Sequence, residues 1–91
     1  MIEVVHVVGT QGVGKSVLIE SMSARDAARG LQTGHVHEGY GISRAQALEM
    51  FPAADVVYFE HLHHDAALAE AHQGELVISI ERAGQPVRQG A

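Results

Sequence analysis

Cysteine is absent from the 91 residues, which excludes a disulfide framework and any thiolate metal site. Tryptophan is absent as well, and two Tyr and two Phe are the whole aromatic complement. The core must therefore be assembled from Val, Ile, Leu, Ala and Met. Basic residues are scarce: six Lys and Arg against eleven Asp and Glu leave a net charge of −5 with His neutral. That sign argues against non-specific nucleic-acid binding, which needs cations to displace condensed counterions. No apolar stretch approaches the roughly 18 residues of a membrane span, so no membrane partner is expected. The opening Met1-Ile2-Glu3 lacks the basic segment and long apolar run of a secretory signal, and a cytoplasmic location is the expectation.

What is present suffices for one small globular domain. Apolar residues make up 46% of the chain, too many for a disordered segment. A domain this short buries only about 60–65% of its unfolded surface, so its core is thin. Residues 2–8 (I-E-V-V-H-V-V) are β-branched and almost wholly apolar, the mark of a strand covered on both faces. Residues 15–29 place Val17, Leu18, Met22, Ala24 and Ala28 at helical spacing, and Gly30 stands where a C′ glycine would. Residues 35–40 (H-V-H-E-G-Y) read as a short second strand. A second helix begins near Ser43, which with Gln46 has capping-box spacing, and ends before Pro52. Residues 55–60 form a third strand, 63–73 an Ala-rich helix closed by Gly74, and 75–81 a fourth strand. This alternation predicts an α/β fold, a three-layer αβα sandwich around a four-stranded, mainly parallel sheet.

Between the first strand and the first helix, residues 9–16 read G-T-Q-G-V-G-K-S, a full match to G-x-x-x-x-G-K-[ST]. A chain of this length matches that pattern by chance on the order of a few times in a thousand. The flanking strand and amphipathic helix are the context it requires. Gly9, Gly12 and Gly14 allow positive φ and bring backbone N–H groups close to an anion, and the helix N-terminus adds its partial positive charge. The segment resembles the Walker A motif of the P-loop NTPase superfamily, strongly over residues 2–29 and by pattern elsewhere. The resemblance implies a minimal P-loop fold over residues 1–82, and Gly84, Pro86 and Gly90 mark residues 83–91 as a flexible tail. The resemblance also implies a phosphate cradle from Gly9, Thr10, Gln11, Gly12, Val13, Gly14, Lys15, Ser16 and Val17. Lys15 would reach the β- and γ-phosphates, and Ser16 would ligate Mg²⁺. No guanine-specificity signature of the N-K-x-D type is present, which favours ATP.

Such proteins need an acidic group near the metal. Residues 56–60 (V-V-Y-F-E) resemble a Walker B segment, with Glu60 as metal ligand and catalytic carboxylate. Members often carry two consecutive acids, whereas His61 follows here. Glu38, ending the second strand, is the other candidate carboxylate. Arg82, ending the fourth strand, is placed as a γ-phosphate sensor or as an arginine finger completing a neighbouring subunit's site. In the branch with an extra strand beside the P-loop strand the order is 1-4-3-2. That order leaves the apolar first strand on an edge, so self-association through it, or coverage by the tail, is expected. The kinase-and-GTPase order, 2-3-1-4, buries it instead.

The seven histidines are a second source of chemistry. His35 and His37 alternate on one strand face, and with His61 and His63 they could form a transition-metal site. His6, inside an apolar strand, reads as a satisfied core or edge residue. The function expected is Mg²⁺-dependent ATP hydrolysis. A small kinase or phosphotransferase and a nucleotide-binding module without turnover are the alternatives.

Overall fold

A computed structural model describes residues 2–10, 14–37, 42–82 and 85–90, with side chains through residue 80 except at His64. The elements run β1 (Glu3–Val8), α1 (Lys15–Ala28), β2 (Thr33–Val36), α2 (Arg44–Met50), β3 (Val56–His61), α3 (His64–Glu70), β4 (Leu76–Arg82) and β5 (Gln85–Gly90). Their order across the sheet is β2-β3-β1-β4-β5, the first four parallel and β5 antiparallel to β4.

The local signals in the sequence act as written. Ser43 caps α2 by accepting from the Gln46 amide, and the Gln46 side chain accepts in return from the Ser43 amide at 3.0 Å. Gly30 follows the end of α1 with φ of +81°, the left-handed geometry of a C′ glycine. The second strand lies earlier than its sequence signal, at 33–36, and Glu38 falls outside the described residues.

Strand alternation divides the core. Val5 and Val7 of β1, Val56 and Tyr58 of β3, and Ile78 and Ile80 of β4 pack with Ile19 on the face covered by α1. Val4, Val57, Phe59 and Val36 pack with Ala47 of α2 on the opposite face, and Val8 and Val77 pack with Ala67 of α3. Helices therefore cover both faces of a parallel sheet, the arrangement that near-continuous apolar strands require. The Tyr58 hydroxyl donates to Asp26 under α1. Burial, then that hydrogen bond and the negative charges of Asp26 and Glu3, push the phenol well above its ordinary value of 10.

Two expectations change. β1 is hydrogen-bonded to β3 on one side and β4 on the other, so it has no open edge, and self-association by edge pairing of the first strand is excluded. The order is 2-3-1-4 through the parallel strands, not 1-4-3-2. Secondly, residues 85–90 form β5 where a loose tail was expected, because β4 would otherwise present an unpaired row of backbone groups. Pro86 is tolerated because β5 is the outermost strand and one of its sides needs no donors. No helix among the described residues is long and apolar enough to cross a membrane.

Candidate functional site

The carboxyl ends of β1, β3 and β2 lie side by side, and the α1 N-terminus rises from the same end of the sheet. In open α/β sheets this is where ligand crevices form. Gly14, the N-cap of α1, has φ of +96° and ψ of 26°, a conformation that any Cβ would strain by about 1–2 kcal/mol. Among the described residues no atom comes within 4 Å of such a Cβ, so the positive φ is the constraint visible at this glycine.

Lys15 opens α1, yet its side chain runs back over the sheet and is only 5% exposed. Its ammonium donates to the Gly9 carbonyl and lies 3.5 Å from the His61 carbonyl, spanning the ends of β1 and β3. The Gly9 amide donates to the His61 carbonyl at 3.0 Å, which fastens the loop's first residue to β3. The carbonyl oxygens at the ends of β1 and β3 thus supply the polar partners that a buried lysine head group requires.

Ser16 Oγ donates to Glu60 Oε2 at 3.3 Å. Glu60 is nearly buried, and the same Oε2 accepts from His35 Nε2 and from His37 Nδ1, the latter at 2.9 Å. Register explains the convergence: Val36 faces Phe59 across the parallel pair, so His35 and Glu60 reach the end of the sheet on neighbouring strands. Both occupy the α1 face, by the same parity that places Tyr58 there.

His61 takes the opposite parity. Its Nε2 meets His6 Nδ1 at 2.9 Å, and His6 Nε2 meets Glu75 Oε1 at 2.9 Å. Glu75 also accepts from Arg44 and from the His72 amide. Burial raises the Glu75 carboxyl, but the hydrogen bonds from Arg44, His6 and His72 outweigh it and bring it to about 2. His6 is thus a fully buried, satisfied core residue rather than an edge one.

No protein-family model matches the chain, and no curated protein or solved structure is significantly similar to it. The site stands on its own geometry.

Of the cradle residues, Gly9, Gly14, Lys15 and Ser16 are brought together, whereas Gln11, Gly12 and Val13 lie outside the described residues. Thr10 is exposed beside Gly9. Val17 is 70% exposed on the first turn of α1. The backbone of Arg82 closes β4, and its side chain lies outside the described residues. Among the described residues the four histidines do not converge on one site: His35 and His37 turn to Glu60, and His61 turns to His6 on the opposite face of the sheet. Glu60 is the partner that sequence reasoning did not give to His35 and His37. Period-two alternation along 56–61 was the available signal, since it separates Glu60 from His61. A separate cleft of about 260 Å³ opens at the other end of the sheet, between Arg25, Asp26, Arg29 and Tyr58, far from Lys15 and Glu60.

Proposed function

We propose that the chain binds magnesium-chelated ATP at residues 9–16 and hydrolyses it, as a minimal P-loop NTPase. The reading rests on one observation above all: the Ser16 hydroxyl and the Glu60 carboxylate meet at 3.3 Å beside the buried Lys15 ammonium. A serine directly after the lysine, an acid next to the end of the adjacent parallel strand and a glycine-capped helix start form one constellation. Their residue types suit a triphosphate.

Ser16 and Glu60 offer hard oxygen donors, and Mg²⁺ needs few from a protein because it keeps waters and phosphate oxygens. These residues therefore fit the ion, which when bound would neutralise charge on the β- and γ-phosphates. Lys15 would exchange the carbonyls of Gly9 and His61 for phosphate oxygens. The first amides of α1 would donate to the same anion, aided by the helix dipole. Glu60 would orient or polarise the attacking water. Arg82, at the end of β4, is assigned as the cation that senses the γ-phosphate or completes a neighbouring copy's site.

The strand order favours a second reading, a small kinase or phosphotransferase, because 2-3-1-4 is the kinase-and-GTPase arrangement. Phosphate release from Mg·ATP without an acceptor separates the two. Hydrolysis is expected in the wild type, with a loss of at least about 100-fold in Lys15→Ala and in Glu60→Gln. Turnover only with an added acceptor selects the kinase. Absence of any binding heat with Mg·ATP or Mg·GTP removes both.

A further inference from the structure

We infer that His35, His37 and Glu60 form a binding site for a divalent transition-metal ion of the zinc class, held by two imidazoles and one carboxylate. This does not depend on the nucleotide reading. One ligand atom from each residue lies within 4.8 Å of the other two. A tetrahedral ion with bonds of about 2.0–2.1 Å holds its ligands roughly 3.4 Å apart, so small rotamer adjustments close the site.

Three features separate this cluster from an ordinary ion pair. Both rings aim at a single oxygen, Glu60 Oε2, through different nitrogens, Nε2 of His35 and Nδ1 of His37. The ring centroids are 4.0 Å apart and the planes inclined by 29°, so the two nitrogens converge from one side. The carboxylate is 5% exposed, while the His35 and His37 side chains are 22% and 48% exposed, which leaves a path from solvent onto a largely buried anion.

The backbone supports the arrangement. His35 lies on β2 and His37 immediately follows it, two residues on and hence on the same face, while Glu60 is the penultimate residue of the neighbouring β3. Ser16 Oγ, hydrogen-bonded to the same Oε2, gives the carboxylate a further partner from α1. Two nitrogens with one carboxylate favour zinc, nickel, cobalt or iron over magnesium, which prefers oxygen throughout. Ligation needs a lone pair on His35 Nε2 and on His37 Nδ1, so each ring then carries its proton on its other nitrogen. Three protein ligands leave at least one position for water or an added anion.

Calorimetric titration of the full chain with zinc chloride, without nucleotide and near neutral pH, tests the site directly. One zinc per chain is expected, weakened by at least about 100-fold when His35→Asn and His37→Gln are combined. His37→Ala alone, at a half-exposed position, is expected to weaken binding in the same direction, and circular dichroism verifies folding of each variant. Cobalt is expected to give visible absorption of a four- or five-coordinate nitrogen and oxygen site, lost in the same variants. Equal zinc affinity in wild type and folded His37→Ala overturns the inference. So does a wild type with no zinc heat, or one that binds magnesium alone equally well. Failure of ATP binding leaves these outcomes untouched.

Discussion

Gly34 is the position at which a single methyl group tests the packing beneath the site. It lies in β2 opposite Val57, on the face covered by α2, and the Phe51 ring rests directly upon it. A Cβ built there would sit 2.5 Å from Phe51 Cγ and 2.7 and 2.8 Å from its two Cδ atoms. Carbon atoms rest about 3.5–4.0 Å apart, so the ring must retreat by roughly 1 Å. The φ of Gly34 is not positive, which leaves sterics as the obstacle to alanine. Overpacking of this kind costs about 1–3 kcal/mol. Restricting the unfolded chain returns about 0.4–1 kcal/mol.

Gly34→Ala is therefore expected to lose about 1–2 kcal/mol, the difference between those two effects. In a domain of this size that lowers Tm by roughly 5–15 °C. Thermal melts and urea titrations read the change. Removing the ring should relieve it: the double variant with Phe51→Ala is expected to cost about 1 kcal/mol less than the sum of the singles. A Gly34→Ala protein as stable as the wild type refutes the reasoning, and so does strict additivity with Phe51→Ala.

Glu75 supplies an acid-range prediction. Its folded carboxyl titrates at about 2 against an ordinary 4.5, so its stabilisation is complete above pH 4.5 and is lost as pH falls towards 2. Urea midpoints of wild type and Glu75→Gln should differ most near neutrality and converge through that window; a constant difference is the refuting result. Tyr58 supplies the alkaline counterpart. Its phenol is raised, so its contribution is complete below pH 10 and is lost as pH climbs beyond, and Tyr58→Phe should flatten that decline.

Elements whose causes are local were legible in the sequence. The Val-rich run became β1, Ser43 and Gln46 became a capping box, and Gly30 ended α1. Strand order was not legible, because nothing within Val56–His61 says which neighbour it will take; that choice belongs to the crossovers and to the whole core. β5 had no signal of its own. Gln85, Pro86 and Gly90 are poor strand formers, and their strand is imposed by the open side of β4. At the site, motif spacing drew attention to Lys15 and Ser16 and the apolar run before it to Glu60, and the structure brings Ser16 and Glu60 into hydrogen-bond contact. The attachment of His35 and His37 to Glu60 needed the β2–β3 register, a long-range fact.

The decisive element is then the parity at the end of β3. Two consecutive side chains, Glu60 and His61, leave the strand in opposite directions and join separate networks. His61 is absorbed by His6, which Glu75 and Arg44 anchor in turn, and these partners fix the carboxyl end of β3 from the α2 and α3 side. Glu60 is thereby held rigid on the other face, where Ser16 approaches from α1 and the two imidazoles approach from β2. One carboxylate oxygen cannot serve both groups fully. An ion held with Ser16 and phosphate oxygens draws Oε2 towards α1, whereas an ion held by His35 and His37 draws it towards β2. If both ligands bind as proposed, each must weaken the other by the same factor, because the coupling is a property of the shared oxygen and not of either ligand. A buried network of histidines on one face thus sets the position at which cation chemistry is contested on the other.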